Sequence, residues 1–263
     1  MSKHPPESLS SGLVLLMATA IAATVANLYY NQPLLPDLQR DLGLEAGTLG
    51  LIPSATQFGY AAAILLISPL GDSHDRHRLI QWLSLTLIVG LLMFSMADQL
   101  PVLVFATFLI GLSANITQQL IPLGASLSQP HNRGRVISTL MTGLTLGILL
   151  SRTLSGFVAD QWGWRSVYLM AAVIALLFAV LLYQYLPRSR PKTTLSYPQL
   201  LASMVHLFRQ YPALRQASLT GALWFAAFNA LWATLALHVT APPFSYSVQQ
   251  AGSFGLAATA GII

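Results

Sequence analysis

The chain has 263 residues, of which 54% are hydrophobic and only 8% are charged. Soluble domains carry about 25% charged residues, so this composition indicates a protein that crosses a membrane several times. The net charge is +5 and there are no cysteines, which excludes disulfides, zinc–thiolate sites and thiol catalysis.

Hydrophobic stretches of spanning length follow one another along the chain. A helix needs about 20 apolar residues to cross a bilayer. Hydropathy predicts seven spans, at residues 13–30, 50–69, 79–97, 102–123, 136–159, 167–186 and 219–239, and the start of an eighth near residue 250. The sequence therefore predicts an all-α membrane protein.

The basic residues predict the orientation of these spans. With the N-terminus in the cytoplasm, ten of the 13 lie on the inner side: Lys3, Arg76, Arg78, Arg133, Arg135, Arg188, Arg190, Lys192, Arg209 and Arg215. The outer loops hold only Arg40 and Arg165, and Arg152 lies within a span. Because cytoplasmic loops are enriched in Lys and Arg, this asymmetry predicts a multi-pass protein of the inner (plasma) membrane with a cytoplasmic N-terminus. The basic excess therefore does not indicate a nucleic acid partner.

A short charged loop separates the second and third spans. Gly71 is followed by Asp75, Arg76 and Arg78, and the flanking stretches are apolar or neutral. Asp75 stands at the predicted start of the next helix, where a carboxylate caps free amides and meets the positive end of the helix dipole. Gly71 allows another helix to approach closely. The alternative is a generic basic loop that only sets topology.

The pattern Gly-x-x-x-Asp-Arg formed by Gly71, Asp75 and Arg76 resembles the loop between the second and third helices of the major facilitator superfamily. Six spans, a long basic segment and further spans also resemble that family, in which two six-helix bundles are joined by a linker. The resemblance implies a facilitator-type six-helix bundle plus the first helices of a second bundle, in the drug- or sugar-exporter-like branch. It also implies that the loop takes part in conformational switching, with Arg78 as a further member.

Three domains are expected on this basis. Residues 1–187 form the N-terminal bundle, residues 188–218 a cytoplasmic linker, and residues 219–263 an incomplete C-terminal bundle. Apolar residues at helical spacing from Leu200 to Phe208 predict an amphipathic helix within the linker, lying on the inner membrane face. Compared with the family, the chain looks truncated. The partners to consider are therefore the lipid bilayer, a small-molecule substrate and a complementing C-terminal half.

Small residues recur every fourth position in the fifth span, at Gly143, Gly147, Ser151 and Ser155. Such stripes let helix backbones approach closely in lipid. Two interpretations stay open, since the stripe can join the fifth span to the eighth or can serve ordinary packing within the first bundle.

Arg152 lies in the same span but off the small-residue stripe. Burying an arginine at membrane depth costs roughly a few kcal/mol or more. One interpretation is that its side chain extends outward to the headgroups. The other is that it faces a water-filled cavity, where it binds an anionic group.

Uncharged polar residues at similar depths predict the rest of that cavity. The candidate cavity residues, with Arg152, are Asn27, Gln57, Tyr60, Asn115, Gln118 and Gln119. The last three are predicted to share one face of the fourth span. Amides at helical spacing inside a membrane indicate either a cavity wall or hydrogen bonds between helices.

Enzyme motifs are missing from the sequence, which contains no Gly-rich phosphate loop, metal-ligand spacing or Ser/His/Asp arrangement. We therefore predict no enzymatic activity, cofactor or metal. The resemblance implies a secondary transporter of small molecules, an efflux permease that works by alternating access. The alternative is a truncated, non-transporting membrane protein, a fragment or interaction partner only.

Overall fold

The computed structural model describes residues 9–189, 193 and 195–259. These residues form α-helices and contain no β-strand, which confirms the all-α prediction. The helices are α1 (Ser11–Ala26), α2 (Asn31–Leu42), α3 (Leu51–Leu66), α4 (Leu70–Ser73), α5 (Arg76–Ser95), α6 (Leu100–Ser113), α7 (Ile116–Leu127), α8 (Arg133–Trp162), α9 (Trp164–Tyr185), α10 (Tyr197–Gln210), α11 (Pro212–Thr240) and α12 (Val248–Thr259). Residues 1–8, 190–192, 194 and 260–263, which the predicted domains include, lie outside the described residues.

Seven stretches of the described chain are long and apolar enough to cross a membrane: Ser11–Leu42, Ala46–Ser73, Arg76–Ser95, Leu100–Leu127, Arg133–Trp162, Trp164–Tyr185 and Pro212–Thr240. They overlap the seven predicted spans, so the protein is a multi-pass membrane protein. Successive spans alternate in direction, since Ser189 contacts Asp75 at one end and Arg165 contacts Asp98 at the other. We call the end that carries residues 71–78 the loop end, and the opposite end the far end.

The first span is longer than predicted. The prediction placed residues after position 30 in an outer loop, but α2 continues the span from Asn31 to Leu42. Its prolines and charges are typical of a loop, whereas Leu34, Leu35 and Leu38 are at most 1% exposed and pack into the core. The helix ends at Gly43, whose φ of 61° is the left-handed conformation common at helix C-termini.

Glycines bring the helices of the bundle into close contact. A Cβ atom at Gly143 or Gly147 would collide with the backbone of Ala18 or Ala22 in α1. Two of the small residues predicted as a stripe therefore pack within the first bundle. Ser151 and Ser155 are also buried, and their hydroxyls donate to carbonyls of their own helix.

The contact between α8 and α12 uses a neighbouring glycine instead. A Cβ atom at Gly156 would lie 2.7 Å from the Val248 carbonyl oxygen, and Thr153 donates to the Gly252 carbonyl at 3.1 Å. Gly143 and Gly147 of the stripe thus serve packing within the first bundle, whereas α8 meets α12 through Thr153 and Gly156, which lie outside the stripe.

The segment after the sixth span contains the helix that the sequence predicted. Helix α10 starts with a capping box in which Ser196 and Gln199 satisfy each other's backbone amides. The next helix, α11, starts at Pro212, so the predicted linker boundary at residue 218 falls inside a helix. The division into three domains remains a prediction with this adjustment.

Candidate functional site

Asp75 caps α5, as the sequence predicted. Its Oδ1 accepts from the His77 amide at 3.0 Å and from the amide and hydroxyl of Ser189 at 2.9 and 3.2 Å. Ser189 also accepts from the Arg76 amide at 2.8 Å. Partial burial raises the pKa of the Asp75 carboxyl, but the bonds from Ser189 and His77 outweigh it and hold that pKa below its ordinary value. The start of the linker is therefore fastened to the loop.

Arg76 turns inward and ties the loop to two helices. Its Nε donates to the Gly71 carbonyl at 2.9 Å, and its terminal nitrogens donate to the Gln119 carbonyl at 3.3 Å and to Asp72 at 2.7 Å. A Cβ atom at Gly71 would collide with the Gln119 side chain. Arg78, in contrast, is exposed. Three of the four predicted switch residues therefore form one network, and Arg78 lies outside it.

Asn115 and Gln119 belong to this network rather than to an open cavity wall. Both side chains are 0% exposed. Asn115 donates to the Ser68 hydroxyl at 2.7 Å, and Gln119 donates to Asn115 at 2.8 Å. For these two residues the contacts agree with the second interpretation, hydrogen bonds between helices. The fourth span is interrupted between α6 and α7, and this turn directs the two amides toward the loop.

Gln118 and Tyr60 stand apart from Asn115 and Gln119. The Gln118 amide donates to the Tyr60 hydroxyl at 2.8 Å, and both residues are only half-buried. Tyr60 packs against a cluster that contains Tyr29 and is also contacted by Phe228 of α11. Gln57 lies one turn from Tyr60, and neither of its buried amide atoms has a partner among the described residues. Gln57, Tyr60 and Gln118 stay candidates for the substrate cavity.

Asn27 faces away from this region. Its amide donates to the Ala23 and Thr24 carbonyls of its own helix, at 2.8 and 3.2 Å. It lines a small internal space together with Ser84 and Phe178. Since its surroundings belong to the interior of the six-helix bundle, the prediction that it completes a pocket with Arg152 is corrected.

Arg152 is buried, with 2% of its surface exposed. Its Nε donates to Gln32 Oε1 at 2.9 Å, and its Nη1 donates to the Ile148 carbonyl at 3.0 Å. Three aromatic rings surround the guanidinium, with the central carbon 4.7 Å from the Tyr29 ring, 5.4 Å from Phe228 and 4.2 Å from Trp232. The side chain therefore lies between the bundle and α11, and it does not extend to the headgroups.

Sequence reasoning did not identify the residues that contact Asp75 and Arg152. Gln32 fell in the stretch assigned to a loop, and Ser189 in the stretch assigned to the linker. Phe228 and Trp232 are four residues apart on α11, which is the spacing of one helix face. That spacing was the available signal, but the sequence alone does not say that this face meets Arg152.

The Major Facilitator Superfamily family model matches residues 15–263 of the chain. The chain is 42% identical over 243 residues to YgaY, an uncharacterized transporter of Escherichia coli O157:H7, and covers 62% of that protein with 92% of its own length. It is 23% identical over 215 residues to the purine ribonucleoside efflux pump NepI of Shigella dysenteriae serotype 1, with 75% of this chain and 53% of that protein covered. The chain thus spans less than two thirds of the length of these relatives.

The fold is also similar to a solved structure. A bacterial homolog of the human lysosomal transporter Spinster, in an inward-facing and unoccupied conformation, superposes with a TM-score of 0.78 at 18% identity. The match covers 100% of this chain and 61% of that one, and at this identity it bears on the fold alone. With the family match over nearly the whole sequence, the conclusion is that the chain belongs to the Major Facilitator Superfamily.

Proposed function

We propose that the protein is a secondary transporter of small molecules that exports its substrate from the cytoplasm by alternating access. It resides in the inner (plasma) membrane with its N-terminus in the cytoplasm, and the loop end faces inward. Membership of a transporter family and the ten-to-two distribution of basic residues support this proposal.

The observation that carries the proposal is where α11 and α12 contact the six-helix bundle. Every residue from 212 to 224, at the loop end of α11, is exposed. Ala236 and Val239, near the far end of the same helix, are buried. The contacts of α12 with α8 also involve the second half of α8, at Gly156 and Thr153. The two parts thus meet at the far end and diverge toward the loop end, as expected for one state of an alternating-access cycle.

Polar and aromatic side chains on the two parts support a substrate site between them. Tyr60 and Gln118 lie on the bundle side, and Trp224 and Phe228 lie on α11, with stacked rings 5.6 Å apart. Aromatic faces with a few polar groups between two bundles are typical of a small-molecule site. The relative NepI is named as an efflux pump, which favours export over import.

The test joins the far end covalently. Cysteines replace Thr153 and Gln249, which lie on α8 and α12 beside the Gly156 contact, in a protein whose 263 residues contain no other cysteine. Counterflow of inosine, glucose and 2-naphthoate is measured in proteoliposomes. We expect at least one of these compounds to exchange, and a cleavable bifunctional thiol reagent to stop the exchange reversibly.

Two results would count against the proposal. Exchange at the full rate with the far end joined would contradict alternating access. Absence of exchange for every compound, with the protein correctly inserted, would favour the non-transporting alternative. The single-cysteine variants, treated with the same reagent, control for simple modification.

A further inference from the structure

Arg152 sits in an aromatic cage, which we define as Tyr29, Gln32, Phe228 and Trp232 around its guanidinium. The cage draws on separate parts of the chain, with Tyr29 in the turn before α2, Gln32 in α2, and Phe228 and Trp232 in α11. Both Arg152 and Gln32 are buried, at 2% and 1% exposure. The cage is thus a built site that forms only where α11 meets the bundle.

The positive charge in the cage has no carboxylate partner among the described residues. The ion pairs in the described chain lie elsewhere, where acidic residues pair with Arg40, Arg76 and Arg165. Aromatic faces offset part of the cost of burying a guanidinium, but they do not supply the oxygen acceptors that its N–H groups need. A buried cation with no carboxylate partner within the described chain is a site where an anionic ligand can form charge-assisted hydrogen bonds.

Two buried donors also lack acceptors within the described chain. They are Nη2 of Arg152 and Nε2 of Gln32. Both residues border a space of about 10 Å³, together with Trp232, Leu235 and Ala251. That space has room for roughly one water-sized group. An oxygen atom of an anion fits there, whereas a whole organic molecule requires α11 to move away from α2.

Aromatic rings continue from the cage along one face of α11. Trp224, Phe228 and Trp232 follow at intervals of four residues, and the Phe228 and Trp232 rings lie 6.2 Å apart. Trp224, nearer the loop end, is 67% exposed. A flat apolar group can stack along this row while a charged end reaches the guanidinium.

We propose that the cage is the anion subsite of the transporter, and that the substrate is an organic monoanion with a flat apolar body, such as an aromatic carboxylate. This inference deepens the proposed function by naming the class of molecule carried. Among the described residues that border the space beside the cage, Arg152 supplies the only cation, and one guanidinium matches one negative charge better than the two of a phosphate. A neutral sugar would leave the guanidinium charge without a counter-ion, and a cationic compound would be repelled.

The experiment measures equilibrium binding to the purified chain in detergent, which requires no transport. Tritiated 2-naphthoate is the probe, and its uncharged amide and 2-naphthylmethylamine are competitors of the same shape. Since hydrogen bonds to charged groups are worth about 1.5–3 kcal/mol, we expect 2-naphthoate to bind about tenfold or more tightly than the amide. The amine should not compete at the same concentrations.

Arg152→Gln should reduce that preference to about twofold or less, because the neutral amide side chain keeps hydrogen bonding but loses the charge. Arg165→Gln is the matched control, since Arg165 also lies over a tryptophan ring, at 4.1 Å from Trp164, but outside the cage. If Arg152→Gln does not assemble, Trp232→Leu keeps the charge and removes one ring, and should weaken 2-naphthoate binding several-fold.

Equal binding of naphthoate and its amide by the unmodified chain would overturn the inference. So would an unchanged preference in Arg152→Gln, or unchanged binding in Trp232→Leu. These results are separable from failure of the transport proposal. Exchange of inosine without any binding of 2-naphthoate would keep the transporter and remove the anion subsite. Arg152-dependent binding without exchange of any compound would keep the anion subsite and remove the transport proposal.

Discussion

The neighbours of Arg152 explain how a charged side chain can be buried within a membrane span. Burying an arginine without partners within a span is unfavourable in free energy. Here three aromatic rings and one amide oxygen surround the guanidinium. Lysine in its place would keep the charge but lose the planar fork, which both stacks on rings and grips a carboxylate in two places.

We therefore predict graded effects at this residue. Arg152→Lys should weaken transport of a substrate found in the proteoliposome assay, and Arg152→Ala should reduce it by about a hundredfold or more, the scale of one lost buried charge contact. Initial rates in proteoliposomes, normalised to inserted protein, measure both. Normal transport by Arg152→Ala would place Arg152 outside the transport site.

Asp75 combines a helix cap with a tether to the linker. Asp75→Asn should insert normally, because asparagine caps helices as well as aspartate does. It should nevertheless slow transport several-fold, because the charge-assisted bonds to Ser189 weaken. Ser189→Ala removes one of those bonds and should have a smaller effect in the same direction.

The matched control is Asp98→Asn, which removes an exposed carboxylate paired with Arg165 at the far end. Its transport rate should stay unchanged, since exposed ion pairs contribute little. If Asp75→Asn transports as fast as Asp98→Asn, the loop only sets topology.

The same contact predicts a pH dependence. The folded-state pKa of Asp75 is lowered, so its stabilising contribution is complete above the ordinary carboxyl pKa and disappears only as pH falls through the lower folded value. Protection of the His77 and Ser189 amides from hydrogen exchange, corrected for intrinsic rates, should therefore stay constant from about pH 8 to pH 5. Loss of protection within that range would mean that the carboxylate is not their acceptor.

At the scale of elements, α8 packs tightly on α1 because its glycines carry no side chain. Gly147→Leu should destabilise the protein by about 1–3 kcal/mol, the usual cost of overpacking, since its Cβ would meet the Ala22 backbone and the Val25 side chain. Denaturation in mixed micelles measures the loss.

Gly134→Leu provides the comparison on the same helix. A Cβ atom there has nothing within 4 Å, so this substitution should be neutral or slightly stabilising through helix propensity. Equal effects of the two substitutions would show that α8 does not approach α1 as closely as described.

Two element boundaries differ from the hydropathy prediction for the same physical reason. Helix α2 carries charges and prolines, and α11 starts before the apolar core of its span. Hydropathy detects only the apolar part of a helix. The more polar part of a helix is maintained by packing, which in α2 comes from Leu34, Leu35 and Leu38.

At the scale of the whole molecule, the orientation in the membrane is open to a direct test. Single cysteines at Ser2 and Ser196 should resist an impermeant thiol reagent applied outside intact cells, since both positions are predicted to be cytoplasmic. A cysteine at Glu45, on the opposite side, should react readily. Fast labelling of the first two with protection of the third would reverse the topology.

Composition and motif alone determined that the chain is an all-α membrane protein, that its described part contains seven stretches able to span a membrane, and that Asp75 starts a helix in a facilitator-type loop. These properties follow from local chemistry, namely runs of apolar residues, the distribution of basic residues and the capping preference of a carboxylate. The family resemblance could also be recognised from local sequence, because the loop pattern lies within a few consecutive residues.

Only the tertiary structure decided which polar residues meet. Asn27 and Gln119 looked like equal candidates beside Gln118, yet they turn into the bundle and the loop network, while Gln32 and Trp232 join Arg152 from other helices. Depth in the membrane can be read from position along a helix. The direction in which a side chain faces depends on how each helix is rotated against its neighbours, and that rotation is set by close contacts such as those at Gly147 and Gly156.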